Sequence, residues 1–213
     1  ITETGSTQNE FTYKLKTGTK AQNYDITPVK GTLTVNPSEN TVVVTIKGNT
    51  DTVTYDGNEH LVSGYTVESI QINGKDTKLY TEKDFKFTGT AEVTKKDAGT
   101  YPMGLTEAQF TNKATKNFPK VTFVVTDGSL KINQRDVILT SEGATKPYDG
   151  TSLTRPNVTV SGDGFVDGEV SDITANGSVT YVEEGEILNN ITYTTGGNFK
   201  ESNYDITINE GKL

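Results

Sequence analysis

Asn203-Tyr204-Asp205-Ile206-Thr207 repeats, residue for residue, the earlier stretch Asn23-Tyr24-Asp25-Ile26-Thr27, and this repetition decides how the chain is read. Extended without a gap, residues 11–33 and 191–213 share ten identities in 23 positions at an offset of 180. A third copy of the ending, Gly128-Ser129-Leu130-Lys131-Ile132-Asn133, matches Gly31-Thr32-Leu33-Thr34-Val35-Asn36 at an offset of 97. The segments after these endings match as well. Thr41-Val42-Val43-Val44-Thr45 leads to Tyr55-Asp56-Gly57, and Asp136-Val137-Ile138-Leu139-Thr140 leads to Tyr148-Asp149-Gly150. Self-similarity of this kind is the mark of a repeat array. The chain reads as the closing part of a preceding module (1–36), a whole module (37–133) and a second whole module (134–213), with Pro37 and Gln134 at short junctions. Short junctions between β modules predict a semi-rigid rod. Modules of 80 to 97 residues suffice for independent cores, whereas residues 1–36 are too few to fold alone. Either the chain divides within a module or the domain borders run out of phase with the repeat, and both alternatives stay open at this point.

Alternation in Phe11-Thr12-Tyr13-Lys14-Leu15, Phe85-Lys86-Phe87 and Val121-Thr122-Phe123 places apolar groups on one face at period two, which predicts strands. The 37 Thr residues fit pleated surfaces, and the 21 Gly residues, with Asn and Asp, supply turns. One helical turn is expected at Glu107-Ala108-Gln109-Phe110, where Thr106 caps and Gln109 takes the reciprocal capping-box position. The expected fold is all-β, as tandem immunoglobulin-like Greek-key sandwiches. The alternative is β-grasp-like modules, with residues 106–113 as the remnant of the helix. Tyr24, Tyr204, Leu130 and Ile132 are the expected core positions.

Composition excludes several classes of function. No run of about 20 apolar residues is present, so no membrane-spanning helix is expected, and the polar start Ile1-Thr2-Glu3-Thr4 does not read as a signal peptide. Zero Cys removes disulfides, thiolate metal sites and cysteine nucleophiles. The net charge of −8 argues against nucleic acid or anionic membranes as partners. Residues 1–36, 37–133 and 134–213 carry +1, −1 and −8, so the entire net charge falls in the last segment.

The two Tyr-Asp-Gly triplets, the stretch Gly162-Asp163-Gly164-Phe165-Val166-Asp167-Gly168 and the Asn-Tyr-Asp-Ile-Thr…Gly-x-Leu endings resemble tandem YDG-type, mostly-beta glycine-rich (MBG-like) repeats of large bacterial surface proteins. The resemblance covers practically the whole chain. It implies secretion, display at the bacterial cell surface or cell wall, and a stalk or adhesin role. It supplies no catalytic residue and no ligand site. The middle module, with Asp97-Ala98-Gly99-Thr100-Tyr101, looks more like a generic bacterial immunoglobulin-like domain.

Few residues invite chemistry. Tyr55-Asp56-Gly57 and Tyr148-Asp149-Gly150 read as turns in which Asp caps backbone amides and Gly accepts positive φ. Tyr101 is the candidate tyrosine corner, its hydroxyl returning to upstream backbone, against an ordinary half-buried strand tyrosine. Asp163, Asp167, Glu169 and Asp172 lie within ten residues and are weak Ca²⁺ candidates without the spacing of an EF-hand, against a solvated acidic loop. A Lys–Asn isopeptide bond is considered for Lys146 with Asn203 and for Lys47 with Asn117. His60, the only His, reads as an exposed loop residue rather than a catalytic base. The expected function is therefore a non-catalytic stalk or adhesin module with no cofactor. The alternative is recognition of a host protein or glycan through the acidic turns of 134–213. Any host protein or glycan is otherwise expected to engage another part of the parent chain.

Overall fold

The computed structural model describes residues 1–213. The chain is all-β. Its first strands are β1 (Gly5–Asn9), β2 (Gly31–Val35), β3 (Val42–Gly48), β4 (Thr50–Thr54), β5 (His60–Ser63), β6 (Tyr65–Ile72) and β7 (Lys75–Asp76). Then come β8 (Phe85–Phe87), β9 (Glu92–Lys95), β10 (Gly99–Pro102), β11 (Phe110–Asn112), β12 (Val121–Thr126), β13 (Ser129–Asn133) and β14 (Arg135–Ser141). The last are β15 (Leu153–Thr154), β16 (Val158–Gly162), β17 (Val170–Ala175), β18 (Ser178–Val179), β19 (Ile191–Thr195) and β20 (Tyr204–Asn209). They form eight small sheets of two to four strands. The only helical pieces are three-residue 3-10 turns. No helix is long and apolar enough to cross a membrane.

Two compact units divide the chain. The first comprises residues 1–47, 65–90 and 105–126. Its four-stranded sheet has the order β12-β3-β6-β7, with β12 parallel to β3. Val42, Val44 and Ile46 alternate with less buried residues along β3 and are fully buried, as period-two patterning requires. Tyr65, Phe85, Phe87, Phe110 and Phe123 pack ring against ring at centroid distances of 5.1 to 6.0 Å. Such clusters add about 0.5–1.5 kcal/mol per pair to the burial itself. The turn expected after Thr106 is a single 3-10 turn, Glu107–Gln109, with Gln109 Oε1 accepting the Thr106 N–H at 2.8 Å. Three residues are too few for the helix of a β-grasp, so that alternative is corrected.

The second unit comprises residues 48–64, 91–104 and 127–213. Here β13 lies between β10, antiparallel, and β4, parallel, and buries Leu130 and Ile132. β14 lies between β16, antiparallel, and β20, parallel, and buries Val137 and Leu139. Glycines mark where opening and closing segments approach most closely. A Cβ on Gly48 would lie 2.3 Å from the Gly128 nitrogen, and one on Gly211 would lie 2.4 Å from Glu142 carbon and Gly143 nitrogen.

Residues 1–36 share a 3-10 turn and one backbone pairing with residues 181–213 but not their cover. The 3-10 turns Ala21–Asn23 and Glu201–Asn203 coincide at the offset of 180, as do the pairs Gln8↔Thr32 and Leu188↔Lys212. Yet residues 191–195 pair with β17 and residues 204–209 with β14, while their counterparts 11–15 and 24–29 form no strand. Tyr204 is consequently 3% exposed and Tyr24 61%. The expected core position at Tyr24 is corrected on this ground: burial there requires a neighbouring strand, and none lies against it.

Candidate functional site

In Tyr55-Asp56-Gly57, Asp56 Oδ1 accepts the Asn58 N–H at 2.9 Å, and Gly57 follows at φ +80°. The left-handed conformation is cheap only for glycine. The turn delivers Tyr55 into the interior of the second unit, where it is fully buried. Its ring meets the edge of Tyr204 at 5.5 Å, and Tyr204 also packs on Phe165 and Phe199.

Between the two tyrosines lies Glu169, only 4% exposed. Tyr55 donates its hydroxyl to Glu169 Oε1 and Tyr204 donates to Oε2, both at 2.6 Å. The Tyr204 oxygen in turn accepts the Val166 N–H at 3.1 Å. Burying a carboxylate is costly unless its oxygens are bonded, and here each has a hydroxyl donor. Burial first, and then Glu169, pushes the Tyr55 hydroxyl up to about 12. Tyr204 is raised by the same causes.

A polar rim surrounds this group. Asn203, fully buried, accepts the Ala98 N–H at 2.8 Å and donates to Asp97 Oδ1 at 3.0 Å. Lys200 contacts Asp97 Oδ2 at 2.5 Å, and the Lys200 ammonium, then Asn203, holds the Asp97 carboxyl below its usual range. Arg135 donates to the carbonyls of Gly164 at 2.7 Å and Asp163 at 2.6 Å. Tyr101 donates to the carbonyls of Asp97 at 3.0 Å and Ala98 at 3.3 Å, which is the geometry of a tyrosine corner.

The acidic candidates are not gathered. Asp163 and Asp167 are exposed on the turns before Glu169, and Asp172 is exposed at φ +52° on a bulge between β17 and β19. Glu169 faces the tyrosines instead. No group of three or more His, Asp or Glu side chains converges to hold a metal.

The isopeptide pairs are not brought together either. Lys146 Nζ bonds Asp149 Oδ1 at 2.7 Å and Thr151 at 2.6 Å, while Asn203 is committed to Ala98 and Asp97. Lys47 is exposed, and Asn117 bonds Thr4 N–H and the Glu3 carboxyl. In the second triplet, Asp149 Oδ1 accepts the Thr151 N–H at 2.9 Å and Gly150 has φ +77°, but Tyr148 is 61% exposed beside Tyr181. His60 opens β5, partly buried, with Nε2 2.9 Å from Asp56 Oδ1.

Sequence reasoning singled out Tyr55, Tyr204 and Glu169 separately and missed that they form one group. It also missed Asn189, fully buried, whose amide donates to the carbonyls of Glu142 at 3.0 Å and Arg155 at 2.7 Å and accepts the Gly177 N–H at 3.0 Å. The one available signal was that Asn9 stands at the offset of 180 from it.

The site predicts an alkaline transition. A tyrosine whose folded value is raised contributes stability that is complete below its ordinary 10 and lost as pH rises through about 12. Absorbance titration at 295 nm should show Tyr55, with Tyr204 and Tyr80, ionising late and together with loss of structure, and Tyr55→Phe should lower the amplitude of that late step by one tyrosine. A single reversible ionisation of all ten tyrosines near 10 would sink this expectation.

No curated protein and no solved structure matches the chain. The family model described as the MBG domain matches residues 40–134, and this stretch, which carries β3, the Tyr55-Asp56-Gly57 turn and β13, is similar to an MBG module.

Proposed function

We propose that the chain is a non-catalytic structural part of a secreted bacterial cell-surface protein, a stalk or the supporting portion of an adhesin, built from modules 37–133 and 134–213 after the closing part of another, 1–36. MBG modules are associated with surface-type proteins. The observation that carries the reading is the Tyr55–Glu169–Tyr204 group. Its buried carboxylate joins two tyrosines, one from each of the successive repeats, with one hydroxyl donor on each oxygen. The scattering of Asp163, Asp167 and Asp172 over separate turns favours this reading over recognition of a host ligand through the acidic turns.

Scanning calorimetry tests it. With the group intact, the second unit (48–64, 91–104 and 127–213), which holds all three residues, should unfold in one transition. Glu169→Ala should lower the midpoint of that transition, because both tyrosine hydroxyls lose their acceptor at a buried site, at about 1–3 kcal/mol for each group left unpaired. An unchanged thermogram in Glu169→Ala would overturn the structural role assigned to this group.

A further inference from the structure

Residues 1–36 expose an apolar face that their own sequence duplicate keeps covered. Tyr24 is 61% exposed, Ile26 42% and Leu33 43%, whereas Tyr204 and Leu213 are buried. Phe11 and Tyr13 are likewise open, while Tyr193, the counterpart of Tyr13, packs on Phe165 at 5.7 Å. The difference is the cover, because the turns that precede Tyr24 and Tyr204 coincide at the offset of 180. Thr19 N–H reaches Lys16 O at 3.0 Å as Phe199 N–H reaches Gly196 O at 3.1 Å.

In the duplicate the cover is β14 together with β17 and the rings of Tyr55 and Phe165, and of the two strands β14 is the one at the opening of its module. It runs parallel to β20 with Arg135 opposite Tyr204, Val137 opposite Ile206 and Leu139 opposite Ile208. Two further devices fasten it. The Asn189 amide captures the Glu142 carbonyl at 3.0 Å, and Gly211 has no room for a side chain against Glu142 and Gly143. Both devices are present and idle in residues 1–36. Asn9, the counterpart of Asn189, is exposed, and Gly31, the counterpart of Gly211, has nothing within 4 Å of a built Cβ.

We infer that residues 1–36 are an acceptor site for the opening strand of another module of this kind. The ligand is an extended segment of about nine residues with branched aliphatic side chains at alternate positions and a terminal glycine. It docks parallel to residues 24–29, as Arg135–Gly143 lies along residues 204–211. Strand addition of this type draws affinity from main-chain hydrogen bonds and specificity from alternate side chains. A second copy of this chain is not the occupant, because both of its opening strands are already paired, β3 with β12 and β14 with β20. The inference rests on the segment's geometry, and it stands or falls apart from the structural role proposed above.

The test uses the full chain and a synthetic peptide of sequence Arg135–Gly143. Saturable binding is expected, with amide exchange at residues 24–33 slowed at least tenfold. Gly31→Val should weaken binding at least tenfold while leaving the unfolding midpoint unchanged, since a Cβ at Gly31 meets nothing within 4 Å in the free chain. A peptide carrying Asp in place of Val137 and Leu139 should not bind. Absence of protection at 24–33 overturns the proposal, and so does protection that survives Gly31→Val. Concentration-dependent dimerisation of the chain alone, lost in Gly31→Val, would assign the face to a second copy and overturn the stated occupant.

Discussion

Truncating Tyr204 to Ala should lower the unfolding free energy by about 3–5 kcal/mol, the range for removing a buried aromatic side chain. The same change at Tyr24 should stay within about 0.5 kcal/mol, as at an ordinary surface position. The two residues sit in the identical pentapeptide Asn-Tyr-Asp-Ile-Thr, after the same 3-10 turn, so local sequence offers no basis for a difference. The difference comes from what surrounds them. Tyr204 loses contacts with Tyr55, Phe165 and Phe199 and leaves one oxygen of Glu169 without its donor. Tyr204→Phe separates these contributions, because it keeps the ring and removes the hydroxyl, at about 1–3 kcal/mol. Urea titrations of the three variants, compared at constant slope, give the measurement. Equal losses at Tyr24 and Tyr204 would show that the first 36 residues bury their tyrosine after all.

The second large effect is expected at Gly211. A Cβ there would sit 2.4 Å from two backbone atoms of the opposite segment, which no rotamer change relieves. Gly211→Val therefore has to separate the chain from Glu142 and Gly143. It strains the Asn189 clamp and draws Leu213 from its buried position. A cost of about 3 kcal/mol, the upper end for overpacking, is expected. For a chain of this size that lowers the melting temperature by roughly 6–12 °C. Gly128→Val should behave alike, since its Cβ would lie 2.4 Å from the Asn49 carbonyl oxygen. A melting temperature for Gly211→Val within a degree of the parent would show that the strands do not approach as closely as described.

Much of the fold was legible in the sequence where the signal is local. Alternation along Phe85-Lys86-Phe87 and Val121-Thr122-Phe123 announced strands, and Thr106 with Gln109 announced the capped turn. The repeat is matched by the shared 3-10 turn before Tyr24 and Tyr204. What stayed hidden depends on partners far along the chain. Glu169 stands 114 residues from Tyr55, and in the sequence it is one acid among several in a glycine-rich loop. Spacing alone therefore grouped it with Asp163, Asp167 and Asp172. Glycine content was read as turn punctuation, which suits Gly57 and Gly150 but not Gly48, Gly128 and Gly211, whose lack of a side chain makes room for a neighbouring backbone. The exposure of Tyr24 was illegible for the same reason, because a duplicate sequence carries no mark of whether its covering strand is at hand.

The parallel orientation of β14 and β20 has a mechanical consequence. Tension that pulls the start of β14 and the end of β20 in opposite directions slides the strands along one another. All six residue pairs from Arg135↔Tyr204 to Thr140↔Asn209 then carry the load together. β3 with β12 and β4 with β13 share the parallel orientation. In the antiparallel pair β1–β2, by contrast, Gly5 lies opposite Val35, so pulling on these two ends parts the bonds one after another. A stretched chain should therefore open first in its initial hairpin, while the parallel pairs hold in shear.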